Sequence, residues 1–209
     1  MEVGSPNGIF EDVFIGTYKG TLVGCAAVYG DAMASEITHL FGVLGTPRVI
    51  QTGSCGVSTE NILPGDIICA TSAHCGEGAS QYYLPNEKEI YASPELVDFV
   101  ACTKEIPVAI HKGAIWTTSA LLAEGKEDIK RWRSEGYIAV DMETATTFAV
   151  AKYFGMQRLS LLFVFDNPSL GDHILLTNNE NQKRRISGEK YLFELVFYII
   201  EKSESAIGS

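Results

Sequence analysis

An apolar run of nine residues that ends in an acid, RLSLLFVFD at 158–166, constrains the fold of this chain more than any other segment. Its length is about half of the ~18 to 20 residues needed to span a bilayer. A short continuous apolar run of this length is typical of a buried strand. The sequence therefore predicts a buried strand with Asp166 at its carboxyl end.

A second acid follows another candidate strand. In AVDMETATTFAVA, residues 139–151, Glu143 lies where an apolar strand gives way to a helix. In open α/β sheets, ligands bind at the carboxyl ends of the strands, so Glu143 and Asp166 are placed as a site would be. Both acids also have a structural interpretation. Glu143 would stabilise the amino end of its helix through the helix dipole, and Asp166 would stabilise an Asp-Asn-Pro turn.

Strand and helix patterns alternate along the whole chain. Strands are predicted on both sides of Lys19-Gly20 and at 48–53, 67–73, 108–120, 137–142 and 158–166. Helices are predicted at 34–44, 93–105, 127–136, 143–154 and 189–202. This alternation indicates an α/β fold, a three-layer α/β/α sandwich with a central mixed, largely parallel twisted sheet. One domain, residues 1–209, accommodates all these elements.

Composition narrows the functional class. The net charge of −10 argues against a nucleic-acid binder, which usually carries a basic stripe. No apolar run is long enough for a membrane span, so we expect no membrane partner. The five cysteines are scattered and odd in number, and no secretory segment precedes them, which is typical of reduced thiols in a cytoplasmic protein. The histidines show no ligand spacing and the cysteines form no CxxC pair, so we expect no metal.

The segment TGSCGV, residues 52–57, is predicted to be a turn after a strand. Its glycines, serine hydroxyl and backbone N–H groups would together cradle an oxyanion such as phosphate. The same residues would equally form a plain tight turn. They match neither the Walker pattern nor the dinucleotide fingerprint. Cys55, within the segment, is interpreted as a buried inert thiol rather than a nucleophile.

Four motifs in order resemble the nucleoside phosphorylase family, which includes bacterial purine nucleoside phosphorylase, uridine phosphorylase and the methylthioadenosine nucleosidases. They are GTYKG, TGSCGV followed by PGDI, AVDMETATTFAVA and LFVFDNP. The Met-Glu pair at the strand-to-helix junction is the most specific of them. The resemblance extends from about Gly16 to the terminal helix.

The resemblance implies a role for each motif. Glu143 would hold the ribose hydroxyls, with Met142 against the sugar, since one carboxylate can accept hydrogen bonds from both hydroxyls. Asp166 would protonate the leaving purine at N7, which requires a raised pKa and an apolar pocket. In the base pocket, Leu121 and Leu122 of TTSALLAEG would stand where aromatic residues are common. Val140 is assigned to the same pocket.

The anion loop implied by the resemblance comprises Gln51, Gly53 and Ser54. This part of the chain departs from the family pattern. A Gly-Asp-Pro-x-Arg phosphate loop has no counterpart before Gly16, and Gln51 replaces an arginine. Phosphate binding would be weakened, because each lost charge-assisted contact costs about 1.5 to 3 kcal/mol. Arg184 and Arg185 are candidates to bind phosphate or to support the acid, or else form a solvated basic run.

Three functions stay open. The first is cleavage of the N-glycosidic bond of a purine nucleoside with phosphate as co-substrate and no other cofactor. The second is a hydrolytic nucleosidase, and the third a nucleoside-binding or structural homologue with impaired catalysis. The resemblance also implies a homo-oligomer: a dimer, trimer or hexamer.

Overall fold

The computed structural model describes residues 13–102, 106–170 and 178–207. Its strands are β1 (Val13–Tyr18), β2 (Thr21–Ala26), β3 (Arg48–Val57), β4 (Ile67–Gly76), β5 (Glu89–Tyr91), β6 (Ile110–Thr118), β7 (Ala139–Asp141) and β8 (Gln157–Asp166). Its α-helices are α1 (Gly30–Val43), α2 (Pro94–Cys102), α3 (Lys126–Ser134), α4 (Thr144–Tyr153) and α5 (Asn179–Ile207). Short 3₁₀ turns lie at Ala79–Tyr82, Leu121–Ala123 and Pro168–Leu170.

The first two strands form the predicted hairpin. Tyr18 pairs with Thr21, and the two residues between them have positive φ, 48° at Lys19 and 94° at Gly20. Positive φ at both central residues gives a turn whose twist matches that of the strands, and glycine adopts it without strain. The hairpin is joined to α5 where the ring of Tyr18 lies 4.7 Å from that of Phe197.

The other six strands form one mixed sheet in the order β5-β4-β6-β7-β3-β8. The pairs β3–β8, β4–β6 and β6–β7 are parallel, whereas β3–β7 and β4–β5 are antiparallel. The α/β class and the mixed, largely parallel sheet are therefore confirmed. The sheet also closes on itself, because β8 pairs with the first residues of β4, where Ile67 faces Phe163. Strand β5 pairs with later residues of β4, where Ser72 faces Tyr91.

Closure explains the apolar character of β8. This strand is hydrogen-bonded to β3 on one edge and to β4 on the other, and its residues 159–162 are all buried. Helix α4 packs against β3, β4, β6 and β8, and all of its residues from Thr144 to Ala151 are buried. A helix that carries no charged side chain over this span is expected in such a position.

Helix α5 begins at Asn179, ten residues before the predicted start. The helix continues through Gly188 because two segments of backbone approach each other closely at this glycine, which the sequence pattern does not show. A Cβ on Gly188 would meet the backbone oxygen of Gly65 at 2.3 Å, so the helix crosses the 64–66 turn where it carries no side chain. Glycine is unfavourable inside a helix, and here close packing compensates for that cost. The end of the predicted helix at 93–105 lies outside the described residues.

Candidate functional site

A pocket of about 150 Å³ lies at the carboxyl ends of β3 and β8. Its walls come from the end of β3, the 3₁₀ turn before α3, α3 itself, β7 and the end of β8. The lining residues are Gly56, Val57, Ser58, Leu121, Leu122, Glu124, Ile129, Trp132, Tyr137, Ala139, Val140, Asp166 and Pro168. Most of these residues are apolar, so a polar group inside the pocket is poorly solvated.

Asp166 is placed in the pocket by an irregularity in the sheet. Along the β3–β8 pair, Cys55 faces Val164 but Gly56 faces Asp166, so the register shifts by one residue. A Cβ on Gly56 would lie 3.0 Å from Oδ1 of Asp166 and 3.4 Å from Val140. The glycine therefore leaves the space that the carboxylate occupies.

The structure brings four predicted site residues together: Asp166, Leu121, Leu122 and Val140 all line this pocket. Leu122 is 80% exposed and so lies at its mouth. Two aromatic residues that were not predicted, Trp132 and Tyr137, also line the pocket. Their contribution depends on how α3 and β7 pack, and no local pattern indicates it.

Glu143 lies just after β7, outside the set of pocket-lining residues, as does Met142. Oε1 of Glu143 accepts a hydrogen bond of 2.7 Å from the backbone N–H of Gly30. Its side chain makes no capping bond to its own helix. Burial raises the pKa of Glu143, and the N–H of Gly30 opposes that shift.

The acid that caps α4 is Asp141, which the sequence analysis missed. Its Oδ2 accepts from the backbone N–H of Thr144 at 2.8 Å, and its Oδ1 accepts from the Thr117 hydroxyl at 2.7 Å. Burial raises its pKa, and these hydrogen bonds oppose the rise. An aspartate three residues before Thr144 is a helix-start signal that was available in the sequence.

Gln51 belongs to the same buried network. Its Nε2 donates to Oδ2 of Asp141 at 3.1 Å, and its Oε1 is buried without a hydrogen-bond partner among the described residues. Gln51, Gly53 and Ser54 are not among the pocket-lining residues. The predicted turn at 52–57 is wrong: β3 runs through to Val57, because its last residues pair with both β7 and β8.

The two arginines contact the protein rather than forming a solvated run. Arg184 donates from Nε to the carbonyl of Pro64 at 2.8 Å and from Nη2 to Asp66 at 3.3 Å. Arg185 is buried, donates from Nε to the carbonyl of Phe165 and lies 4.3 Å above that ring. Arg185 therefore holds the residue directly before Asp166.

Several other predictions can be compared with the described parts of the chain. Burial raises the pKa of the Cys55 thiol well above its ordinary value, so this cysteine is a poor nucleophile at neutral pH.

Within the described parts of the chain, no three His, Cys, Asp or Glu side chains come together as a metal site; His173 lies outside them. Every helix there is too short or too polar to span a bilayer.

Comparison with known proteins identifies the family. The phosphorylase superfamily model matches residues 2–201, so this chain belongs to the phosphorylase superfamily, a family of enzymes. It is 28% identical over 160 residues to guanosine phosphorylase of Halorubrum lacusprofundi, covering 75% of this chain and 66% of that protein, just under two thirds. It is 29% identical over 193 residues to a DeoD-type purine nucleoside phosphorylase of Alkaliphilus metalliredigens, covering 87% of this chain and 79% of that protein.

Solved structures have the same architecture. Uridine phosphorylase from Vibrio fischeri superposes with a TM-score of 0.77 at 25% identity, over 92% of this chain and 80% of that one. Purine nucleoside phosphorylase from Toxoplasma gondii, solved with immucillin-H, gives a TM-score of 0.78 at 18% identity, over 91% and 78%. The second likeness supports the fold alone.

Proposed function

We propose that this chain cleaves the N-glycosidic bond of a purine nucleoside and transfers the sugar to phosphate. The observation that carries the proposal is the position of Asp166, a carboxyl group in a largely apolar pocket whose walls include Leu121, Leu122 and Val140. A cavity of about 150 Å³ is enough for one aromatic ring such as benzene, and Leu122 lies at its open mouth. We therefore place the bicyclic base partly in this pocket, with the sugar outside it.

Asp166 would act as the general acid. As the glycosidic bond breaks, its proton passes to N7 of the purine, and the bonding electrons stay with the base. The sugar becomes oxocarbenium-like and is captured by a phosphate oxygen. Protonation of the leaving base contributes about 10²- to 10⁴-fold in typical general acid catalysis. Arg185 supports this role by fixing Phe165 and so the end of β8.

Glu143 would bind the ribose hydroxyls. Its carboxylate uses Oε1 to accept from Gly30, and a carboxylate offers about four acceptor positions. The Gly30 bond fixes the side chain before the sugar arrives, so little conformational entropy is lost on binding.

Phosphate is proposed as the acceptor because the relatives are named as phosphorylases. A hydrolytic reaction is the second candidate, and one observation favours it. No lysine or arginine is among the described residues that line the pocket, so none of those residues provides a positive charge for a phosphate dianion. A neighbouring subunit of the homo-oligomer predicted above would be one further source of such a charge.

Incubation with inosine, adenosine, uridine and methylthioadenosine, with and without phosphate, tests the proposal. Release of purine that depends on phosphate supports phosphorolysis, and release without phosphate supports the hydrolytic candidate. Nucleoside binding without release from any substrate would show a homologue with impaired catalysis and would overturn the proposal. In the active case, Asp166→Asn should lower purine release on the order of 10²-fold or more.

A further inference from the structure

Two residues that line the pocket each carry a polar atom left unpaired among the described residues. Oε1 of Glu124 and Nε1 of Trp132 are buried, and neither has a hydrogen-bond partner among the described residues. Both residues line the pocket that contains Asp166. Buried polar atoms are nearly always hydrogen-bonded, because an unpaired one loses its hydration without compensation. An unpaired acceptor and an unpaired donor on two residues that line one pocket point to a ligand that pairs with both.

The position of the indole is fixed by packing. Trp132 is 6% exposed and stacks on Trp116, with ring centroids 5.3 Å apart and planes inclined by 24°. Glu124 directly follows the 3₁₀ turn at Leu121–Ala123, and its neighbour Gly125 begins the cap of α3 through Asp128. The two side chains are thus presented from one connected segment.

We propose that Glu124 and Trp132 hydrogen-bond the polar edge of the base held beside Asp166, and that protonation of Glu124 selects the class of purine. This inference rests on the proposed function for the location of the base. It makes Glu124 and Trp132 residues that determine specificity, separate from the acid that protonates N7.

Electrostatics allows Glu124 to change state near neutral pH. Two carboxyl groups in one apolar pocket oppose each other's ionisation. Burial and the charges of Asp166, at the end of β8, and Asp128, on α3, raise the pKa of Glu124 to about 7. On α3, Arg131 is paired with Asp128 at 3.2 Å and lies over the Trp132 ring.

The two protonation states of Glu124 discriminate differently between the two classes of purine. The ionised carboxylate only accepts, so it pairs with N1–H of a 6-oxopurine while the Trp132 N–H donates to O6. The protonated carboxyl group can donate to N1 of a 6-aminopurine and accept from its amino group, and it can also accept from N1–H and donate to O6 of a 6-oxopurine. Recognition of 6-aminopurines should therefore be lost as the pH rises through 7, and the preference for 6-oxopurines should increase.

The test compares kcat/KM for inosine and adenosine at about pH 6 and about pH 8. The ratio of the two values cancels pH effects that both substrates share. We expect the inosine to adenosine ratio to rise on the order of 10-fold in the wild type, the effect of one charge-assisted hydrogen bond. Glu124→Gln should abolish that rise. Glu127→Gln, at a residue whose side chain is 86% exposed, should retain it.

Binding separates this inference from the proposed function. If neither nucleoside is cleaved, the proposed function fails, and calorimetry with hypoxanthine and adenine at the same two pH values decides the role of Glu124. A pH-dependent preference that Glu124→Gln removes, with weaker hypoxanthine binding in Trp132→Phe, supports the inference. A wild-type ratio that does not change with pH, a change that survives Glu124→Gln, or no binding of either base would overturn it.

Discussion

Oε1 of Glu143 lies 2.7 Å from the backbone nitrogen of Gly30, the residue that opens helix α1. Tyr29, at the N-cap position of that helix, makes no side-chain capping bond. Glu143 therefore supplies the acceptor that the helix needs, and a carboxylate is favoured at this end of the helix dipole. The start of α4 is coupled in this way to the start of α1.

This relationship makes Glu143→Gln informative. The glutamine can still accept from Gly30, so the fold should persist, but its hydrogen bonds to ribose hydroxyls lose the charge. We expect nucleoside cleavage to fall about 10- to 100-fold, which corresponds to about 1.5 to 3 kcal/mol. Steady-state kinetics measures the change, and Glu36→Gln, at an exposed residue of α1, is the control. Unaltered kinetics in Glu143→Gln would remove Glu143 from the sugar site.

Gly56→Ala tests the placement of Asp166. The new methyl group would lie 3.0 Å from Oδ1 of Asp166, closer than an ordinary contact, so the carboxylate must move. Since a misplacement of about 1 Å can cost about 10²-fold and the carboxylate here must give by a few tenths of an ångström, we expect kcat to fall by a smaller factor, about 3- to 10-fold. Gly78→Ala, where a Cβ meets nothing within 4 Å, should leave kcat unchanged. Equal rates in both variants would show that Asp166 tolerates displacement.

Replacing Arg184 should lower mainly the stability of the protein, whereas replacing Arg185 should lower its activity as well. Arg184→Ala loses hydrogen bonds to Pro64 and Asp66, and we expect unfolding free energy to fall by about 1 to 3 kcal/mol with little change in kcat. Arg185→Ala releases Phe165 and should lower kcat as well. Urea unfolding and steady-state assays on the same samples make the comparison. A larger loss of kcat in Arg184→Ala would reverse the two assignments.

Much of the fold could be predicted because strong local patterns agree with the final packing. The apolar run of β8 predicts a buried strand that ends at Asp166, and the structure has that strand. The hairpin follows from the Lys19-Gly20 turn, and α4 follows from its buried apolar sequence. In each case, one segment carries the whole signal.

The remaining features depend on contacts between distant segments. Gly53 and Gly56 indicate a turn locally, yet pairing with β7 and β8 extends β3 to Val57. Gln51 looks available for an anion until Asp141, ninety positions later, binds its amide. Glu124 appears as one acid in a polar segment, and only folding places it beside Asp166. No alternation or motif records these juxtapositions.

Asp141→Asn should destabilise the protein strongly. Its carboxylate accepts hydrogen bonds from Gln51, Thr117 and Thr144, and an amide group in its place would turn one acceptor into a donor facing other donors. We expect a loss of about 2 to 4 kcal/mol in urea unfolding, since buried donors are left unpaired. Asp98→Asn, at an exposed residue of α2, should change stability by less than about 0.5 kcal/mol. Similar values for the two variants would contradict the network.

The pH dependence of stability should reveal the titration of Glu124. Its pKa is raised from 4.5 to about 7 in the folded protein, so the folded state holds a proton that the unfolded state releases between those values. Stability from this group is therefore fully present below pH 4.5 and is lost as the pH rises to about 7. Glu124→Gln lacks this titration, and the variant should become more stable relative to wild type between about pH 5 and pH 8. Urea unfolding across that range measures the difference, with Glu127→Gln as the control that should follow the wild type. A difference between Glu124→Gln and wild type that stays constant with pH would show that Glu124 is already ionised in the folded protein at pH 5.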